Sequence, residues 1–537
     1  MLLLNFFKKI EIFLKKIIAK AENSQINLSS WLLTFLCVVF IRTLLEAFSG
    51  RINIFSTKSF YFLFFHSVSF FLYVFLLLIL FLYFLTKEKI EKITKTSLFV
   101  SILILIPPLI DILVSRGEGL VSKYYFPTSN ISFWEAFLGK IEYGLNGLFL
   151  GAKDLSQSIF TANYGVRIEL LILALLIICY VFLKTKNPLK IVLSFFLLYP
   201  AYFLIGSLPY WLQRIAGVAS LYNISTFNPE FEWDSVLFSV YLILIFIFGS
   251  LWFFIYQKEK FIAVVKNLRF FRTLQILALL FFGLYLAHVS GARLRFFDFL
   301  LIATACLSVI SYWAWGVFSN DLIDENSDRI TNPGRPLAVG KLNRQEVKTL
   351  SIIFLIISYM SALAVGYAFF ITVFLRSCLG YLYSFHPFRL KRIPILATFV
   401  LACASLTTIW GGYLLVKQNS IYSFPVKVIL LVLVAFSLGF SAKDIKDYEG
   451  DKKDNVKTIL VIFGLERGKK IIGVLSFICF LLPPIIFFQY FKPLIGIAII
   501  AGLLSYYLIN KREYSERPLL VLYFLYAIPI ALYIFNY

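Results

Sequence analysis

Apolar runs of about 18–25 residues recur along the whole chain, separated by short stretches that hold most of the lysine and arginine. The runs are continuous rather than alternating, which is the pattern of membrane-spanning helices and not of barrel strands. Six precede residue 260, at about 31–48, 60–86, 97–115, 165–184, 190–212 and 234–256. Nine follow, at about 273–290, 296–318, 346–364, 366–385, 393–416, 424–442, 470–490, 492–510 and 516–535. The polar stretch Gln257 to Arg272, with Lys258, Lys260, Lys266, Arg269 and Arg272, separates the two sets. The pattern predicts an all-α polytopic membrane protein. A domain of six spans occupies 1–257, and a domain of nine spans occupies 258–537.

Composition supports that class. Of the 537 residues, 60% are hydrophobic and only 15% charged, where a soluble chain carries about a quarter charged residues. The net charge of +22 does not indicate a nucleic-acid partner, because the cations sit in the short connections where the positive-inside rule places them. With the N-terminus in the cytoplasm, the inside loops are 87–95, 184–190, 258–272, 320–344, 389–392, 443–470 and 511–517, and these are the Lys/Arg-dense ones. Localisation in the cytoplasmic membrane is expected. No cleavable signal sequence is read at the start. Lys8, Lys9, Lys15 and Lys16 share one face of a basic amphipathic helix expected to lie on the cytoplasmic bilayer surface. The longest outside segment, Arg116 to Tyr164, is rich in aromatics and is read as a helix resting at the outer interface. The six cysteines lie within apolar runs with no C-x-x-C pair, so neither a disulfide framework nor a zinc site is expected.

Two acidic stretches interrupt this background, both of the form D-x-x-D-x-x-x-D and both directly after an apolar run. The first is Asn320-Asp321-Leu322-Ile323-Asp324-Glu325-Asn326-Ser327-Asp328, and the second is Asp444-Ile445-Lys446-Asp447-Tyr448-Glu449-Gly450-Asp451. A carboxylate at the centre of a membrane costs about 2.5–3.5 kcal/mol on insertion scales, so the clusters imply a polar cavity and a neutralising cation. On a helix, offsets of three and four place Asp321, Asp324 and Asp328 on one face, with Asn320 on a neighbouring one. Asp444, Asp447 and Asp451 repeat the spacing. Hard oxygen donors of this kind suit Mg²⁺, which shares a few carboxylates with waters and a substrate phosphate. Two such helix ends facing each other would hold a diphosphate. Arg329, Arg335, Lys391, Arg392, Lys443 and Lys446 flank the motifs and are candidate phosphate ligands. A single D-x-x-D on a loop is usually a solvated acid patch; a pair, each at a span end, is far more specific.

On these residues the C-terminal part, from about 262 to 537, resembles the UbiA superfamily of intramembrane prenyltransferases. The resemblance rests on Asn320-Asp321-x-x-Asp324-x-x-x-Asp328 continuing through Asn332-Pro333-Gly334-Arg335-Pro336-Leu337 to Gly340. It rests equally on Lys443-Asp444-Ile445-Lys446-Asp447-Tyr448-Glu449-Gly450-Asp451-Lys452. Tyr383-Ser384 with Leu390-Lys391-Arg392 is similar to the family's third, basic segment. The resemblance implies a nine-helix UbiA-like bundle, preceded here by about six extra transmembrane helices, with a cavity open to the cytoplasm and to lipid. It implies Mg²⁺ held by the two aspartate motifs, Asp324 and Asp447 essential to catalysis, a polyprenyl diphosphate as donor and a hydrophobic acceptor within the lipid bilayer. The acceptor class would be an ether-lipid glycerol phosphate or an aromatic, quinone-type precursor. The motif wording is most similar to the archaeal ether-lipid branch, which alkylates geranylgeranylglyceryl phosphate. Thr458-Ile459-Leu460 departs from the family, which often carries Pro after the corresponding K-T-L.

The first 257 residues resemble nothing in that family. Their informative residues are charges inside apolar runs: Arg42 and Glu46, four apart on one helix; Asp111 and Arg116; Arg167 and Glu169. Asp111, Arg116 and Arg167 are expected to line a lipid-binding pocket, against the plainer reading that they snorkel to the outer face. Two rival functions share the overall pattern. A transporter also has many spans, but usually two related halves and broken helices, neither of which is legible here. A polyprenyl-phosphate-dependent glycosyltransferase also uses acidic motifs, but the chain has no large globular domain for a second substrate. His66, His288 and His386 fit no catalytic triad and are read as packing or interfacial residues.

Overall fold

Within the described residues each of the fifteen apolar runs falls on helix in the computed structural model, which describes residues 2–49, 56, 65–114, 164–216, 232–292, 296–417, 423–453 and 456–536. The protein is an integral, polytopic, all-α membrane protein. Among the described residues there is no strand, and fourteen helices are long and apolar enough to cross a bilayer. The remaining run, 190–212, is divided into Pro188–Gly206 and Leu208–Ala216. The break falls at Gly206-Ser207, and Pro209 follows in the first helical turn, where its missing N–H costs nothing. The chain forms two compact units, one of residues 1–225 and 229–257 and one of residues 226–228 and 258–537.

In the first unit, α1 (Leu2–Glu22) precedes α2 (Leu28–Ser49), α3 (Ser67–Thr86), α4 (Ile90–Val114), α5 (Tyr164–Thr185), α6 (Pro188–Gly206), α7 (Leu208–Ala216) and α8 (Glu232–Tyr256). α1 carries exposed Ile12, Phe13 and Ile17 beside its lysines, as an interfacial helix does. Its end is pinned by buried Glu22, which accepts from Lys184 at 2.6 Å and from the Tyr180 hydroxyl at 3.1 Å. Thr94 organises the interior. Trp31 Nε1 donates to its carbonyl at 2.7 Å and Trp252 Nε1 to its hydroxyl at 2.9 Å, so α2, α4 and α8 meet at one residue.

In the second unit, α9 (Lys258–Asn267) leads into α10 (Phe270–Val289) and α11 (Phe296–Ile323). The short α12 (Glu325–Thr331) follows, then α13 (Arg344–Val365), α14 (Tyr367–Ser384), α15 (Leu396–Leu414) and α16 (Val426–Gly439). α17 (Asp444–Lys453), α18 (Ile459–Phe463), α19 (Leu465–Ile486), α20 (Phe491–Asn510) and α21 (Glu516–Asn536) complete it. Packing runs α11–α13–α14–α15–α16–α19–α20–α21 and closes through α21 onto α10. The spanning stretch of α11 is 67% buried, against 28–56% for the other long helices of the unit, so α11 is the bundle's inner helix and the rest present apolar side chains outward. α13 begins at a capping box, in which Asn343 accepts from the Glu346 N–H and the Glu346 carboxylate accepts from the Asn343 N–H. Gly366, at φ 144°, turns α13 into α14.

α10 and α15 touch backbone to backbone. A Cβ on Gly283 would run into the Ile409 carbonyl, and one on Gly412 into the Leu280 carbonyl. Small residues at such crossings replace the hydrophobic drive that lipid does not supply. Gly412→Val is therefore expected to lower stability by about 1–3 kcal/mol, seen as a reduced midpoint in thermal aggregation of the detergent-solubilised protein. An unchanged midpoint would show that the two helices are free to separate.

Candidate active site

Both acidic motifs lie where a spanning helix gives way to a short one. α11 runs to Ile323, so Asn320 and Asp321 form its last turn; Asp324 interrupts the helix, with φ −99° and ψ 17°, and α12 starts afresh at Glu325. On the other side, α16 passes through the turn Phe440–Lys443 directly into α17. α12 packs on α17. Asn332, just past α12, joins the motifs: its amide donates to Asp328 at 3.3 Å and to Asp447 at 3.4 Å.

These elements rim a cavity of about 1000 Å³, at the upper end of the usual ligand-pocket range. Asn320, Asp324, Asp328, Asp444, Asp447 and Asp451 all line it. Eleven Lys and Arg and six Asp and Glu contribute to its walls, an excess of five positive charges, so the chamber favours an anion. Away from the rim the lining turns apolar, with Ile276, Leu279, Trp315, Leu401 and Phe440.

The carboxylates are held by the protein's own cations. Lys391 reaches both oxygens of Asp324, at 2.5 and 2.6 Å, and Arg389 reaches Asp324 at 3.2 Å. Arg335 bridges Asp321, at 2.9 Å, and Asp328. Burial draws the Lys391 ammonium below its ordinary value, while Asp324 pulls it back up. Burial and the neighbouring Arg269 lower Arg335 in the same way, against Asp321. Lys443 donates to the Tyr383 hydroxyl.

Several expected residues fall elsewhere. Asp321 is 2% exposed and does not reach the cavity; it accepts from Asn267 at 2.8 Å and pairs with Arg335 and Arg269. Asp321 and Asp328 share Arg335, whereas Asp324, at the break in the helix, turns to Lys391 and Arg389. Arg335, Lys391, Lys443 and Lys446 line the cavity, but Arg329 and Arg392 do not. Arg329 sits on the outer face of α12, 61% exposed and paired with Glu325 at 3.0 Å; Arg392 is exposed on the turn Leu390–Arg392. In the first unit, Arg42 pairs with Glu46, and Asp111 is buried and accepts from the Gly165 N–H at 2.9 Å. Arg116 and the side chain of Arg167 lie outside the described residues, as does the segment 116–163. Sequence reasoning missed Asn267, Arg269, Arg272 and Arg376 as site residues. The first three sit in a polar connection with no distinguishing pattern. Arg376, a cation in the middle of an apolar run, carried a signal.

The donors around the rim are carboxylate and amide oxygens. Among the described residues no three acidic, histidine or cysteine side chains close on one point. That set fits a hard divalent ion which takes one or two carboxylates and completes its shell with water and substrate phosphate.

The chain matches the UbiA prenyltransferase family over residues 276–528. Among curated relatives, it is 28% identical over 201 residues to a digeranylgeranylglyceryl phosphate synthase of Thermococcus sibiricus, covering 37% of this chain and 67% of that one. It is 29% identical over 180 residues to the protein of the same name from Saccharolobus solfataricus, covering 33% of this chain and 61% of the relative. The match thus spans under two thirds of that second relative's length. Among solved structures, a UbiA homolog from Archaeoglobus fulgidus bound to GPP and Mg²⁺ aligns with TM-score 0.41 and 23% identity, over 51% of this chain and 98% of that one. The C-terminal half of this membrane protein is a UbiA-family prenyltransferase domain.

Proposed function

We propose that the second unit transfers a polyprenyl group from a polyprenyl diphosphate to a lipid-soluble acceptor, with Mg²⁺ as cofactor. The observation that carries this reading is the junction of the two acidic motifs through Asn332 at the mouth of a cationic cavity with an apolar interior. The acceptor we favour is an ether-lipid glycerol phosphate, supported by the motif wording and by the names of the relatives.

In this reading Asn320, Asp324, Asp328, Asp444, Asp447 and Asp451 would hold the divalent ions, which would supply Lewis-acid charge to the leaving diphosphate. Arg335, Lys391, Lys443 and Lys446 bind the diphosphate oxygens. Asn267 and Asp321 hold Arg335 in place. The allylic C–O bond breaks and its electron pair leaves with the diphosphate. The acceptor hydroxyl oxygen then bonds to the allylic carbon, and its proton passes to the released diphosphate. Trp315 and Phe440 exclude water and offer π-faces to positive charge on the prenyl group. Asp324→Ala and Asp447→Ala are each expected to cut Mg²⁺-dependent diphosphate release from a radiolabelled allylic diphosphate by at least about 100-fold. Arg329→Ala, outside the cavity, should stay within about twofold of the parent, as exposed ion pairs contribute little. Full activity in either aspartate variant would remove the assignment.

We also propose that the N-terminus and both motifs face the cytoplasm, in the cytoplasmic membrane, because the cation-rich connections all fall on that side. Reporter fusions in a bacterial host test this. A fluorescent protein fused after Lys341 should fluoresce, and alkaline phosphatase fused after Gly366 should be active; the reverse pattern would invert the topology.

A further inference from the structure

One cation of the cavity sits midway along a spanning helix with no carboxylate beside it among the described residues. Arg376 lies midway along α14, is 6% exposed and lines the cavity. Arg335, Arg389, Lys391 and Arg272 are each paired with a carboxylate. Arg376 has none within ion-pair reach among the described residues, and its Nε has no hydrogen-bond acceptor. Its guanidinium instead rests 4.1 Å over the Tyr312 ring, and the Tyr312 hydroxyl donates at 3.0 Å to the Arg376 carbonyl. An arginine keeps its charge in any protein. A charge buried at membrane depth without a counter-charge is costly unless an anion visits it.

Arg376 lines the same cavity as the motif residues. Arg376, Gly380, Tyr383 and Ser384 form one cavity-facing stripe of α14. Tyr312 and Trp315 pack on this stripe at Gly380, where a Cβ would come within 2.7 Å of the Tyr312 hydroxyl and 3.1 Å of the Trp315 ring. Eight residues separate Arg376 from Ser384, a depth of about 12 Å along the helix. In a displacement the reacting atoms stand about 3 Å apart. A phosphate a few bonds beyond the attacking hydroxyl then falls on the order of 10 Å from the leaving diphosphate. Arg376 is thus too deep for the donor's diphosphate and at the right depth for an oxyanion on the acceptor.

Resting on the transferase reading above, we propose that Arg376 is the acceptor's anion subsite. It binds a phosphate or carboxylate of the acceptor and thereby sets which hydroxyl reaches the allylic carbon. The bonds broken and formed are those of the transfer itself.

The test uses the full chain in lipid nanodiscs with geranylgeranyl diphosphate as donor. Acceptor probes are geranylgeranylglyceryl phosphate and its phosphate-free alcohol, and a hydroxybenzoate and its amide. Arg376→Gln should raise KM for the anionic acceptor at least about tenfold and collapse its preference over the neutral partner, with donor KM unchanged. Collapse of the phosphate/alcohol ratio identifies a phosphate, and collapse of the benzoate/amide ratio a carboxylate. Arg376→Lys, which keeps the charge but loses the planar fork, should fall between the two. It also serves if the glutamine variant does not fold. Unchanged preference in a folded variant, or an equal rise in donor and acceptor KM, would overturn the proposal. If the wild type releases no diphosphate from the donor, the transferase reading fails. Quenching of tryptophan fluorescence by the two anionic probes then still decides Arg376, which predicts quenching that the Arg376→Lys variant weakens; equal quenching would reject it.

Discussion

Carboxylates placed beside a hydrocarbon phase must be answered by donors or counter-charges, and the second unit is organised around that demand. Asp321 takes Asn267, Arg335 and Arg269; Asp324 takes Lys391 and Arg389; Asp328 takes Arg335 and Asn332. These partners come from α9, from the segment after α12 and from the turn after α14, so satisfying the first motif draws separate parts of the unit to one rim. Removing one member would leave its partner buried and unpaired, which costs far more than the pair itself contributes. Asn332 extends the network to Asp447 and makes the two motifs one structure.

The same arrangement grades the cavity from charged rim to apolar interior. At the rim, cations exceed carboxylates, which suits the anionic diphosphate of the proposed donor. Beneath it, tryptophan, phenylalanine and aliphatic side chains provide a dry space suited to an isoprenoid chain. Arg376 is the exception in that lower space. The bundle holds its shape by close helix contact at Gly283 and Gly412, since lipid offers the helices no hydrophobic reason to associate.

Spans were legible in the sequence because bilayer thickness fixes their length, and within the described residues each apolar run lies on a helix. The acidic motifs were legible because carboxylates at a span end stand out against apolar neighbours. What the sequence did not reveal was direction. Asp321 faces Asn267 while its neighbour Asn320 lines the cavity, and helical spacing alone carries no sign of which face of α11 turns inward. Arg329 and Arg392 sit beside the motif residues along the chain, yet the faces of α12 and of the turn Leu390–Arg392 take them to the outer surface. Asn267 contributes to the site from more than fifty residues away, and an amide in a polar connection leaves no pattern to read. The role of the first unit is equally illegible, since Asp111 serves the Gly165 N–H and its expected companions lie outside the described residues.

Diffraction from crystals grown with Mn²⁺ and an unreactive thio-analogue of an allylic diphosphate decides whether the two motifs form one metal and diphosphate site. Anomalous peaks are expected between Asp324 and Asp328 on one side and Asp444, Asp447 and Asp451 on the other, with the diphosphate oxygens between them. Peaks at a different place in the molecule, or a diphosphate bound away from both motifs, would contradict it.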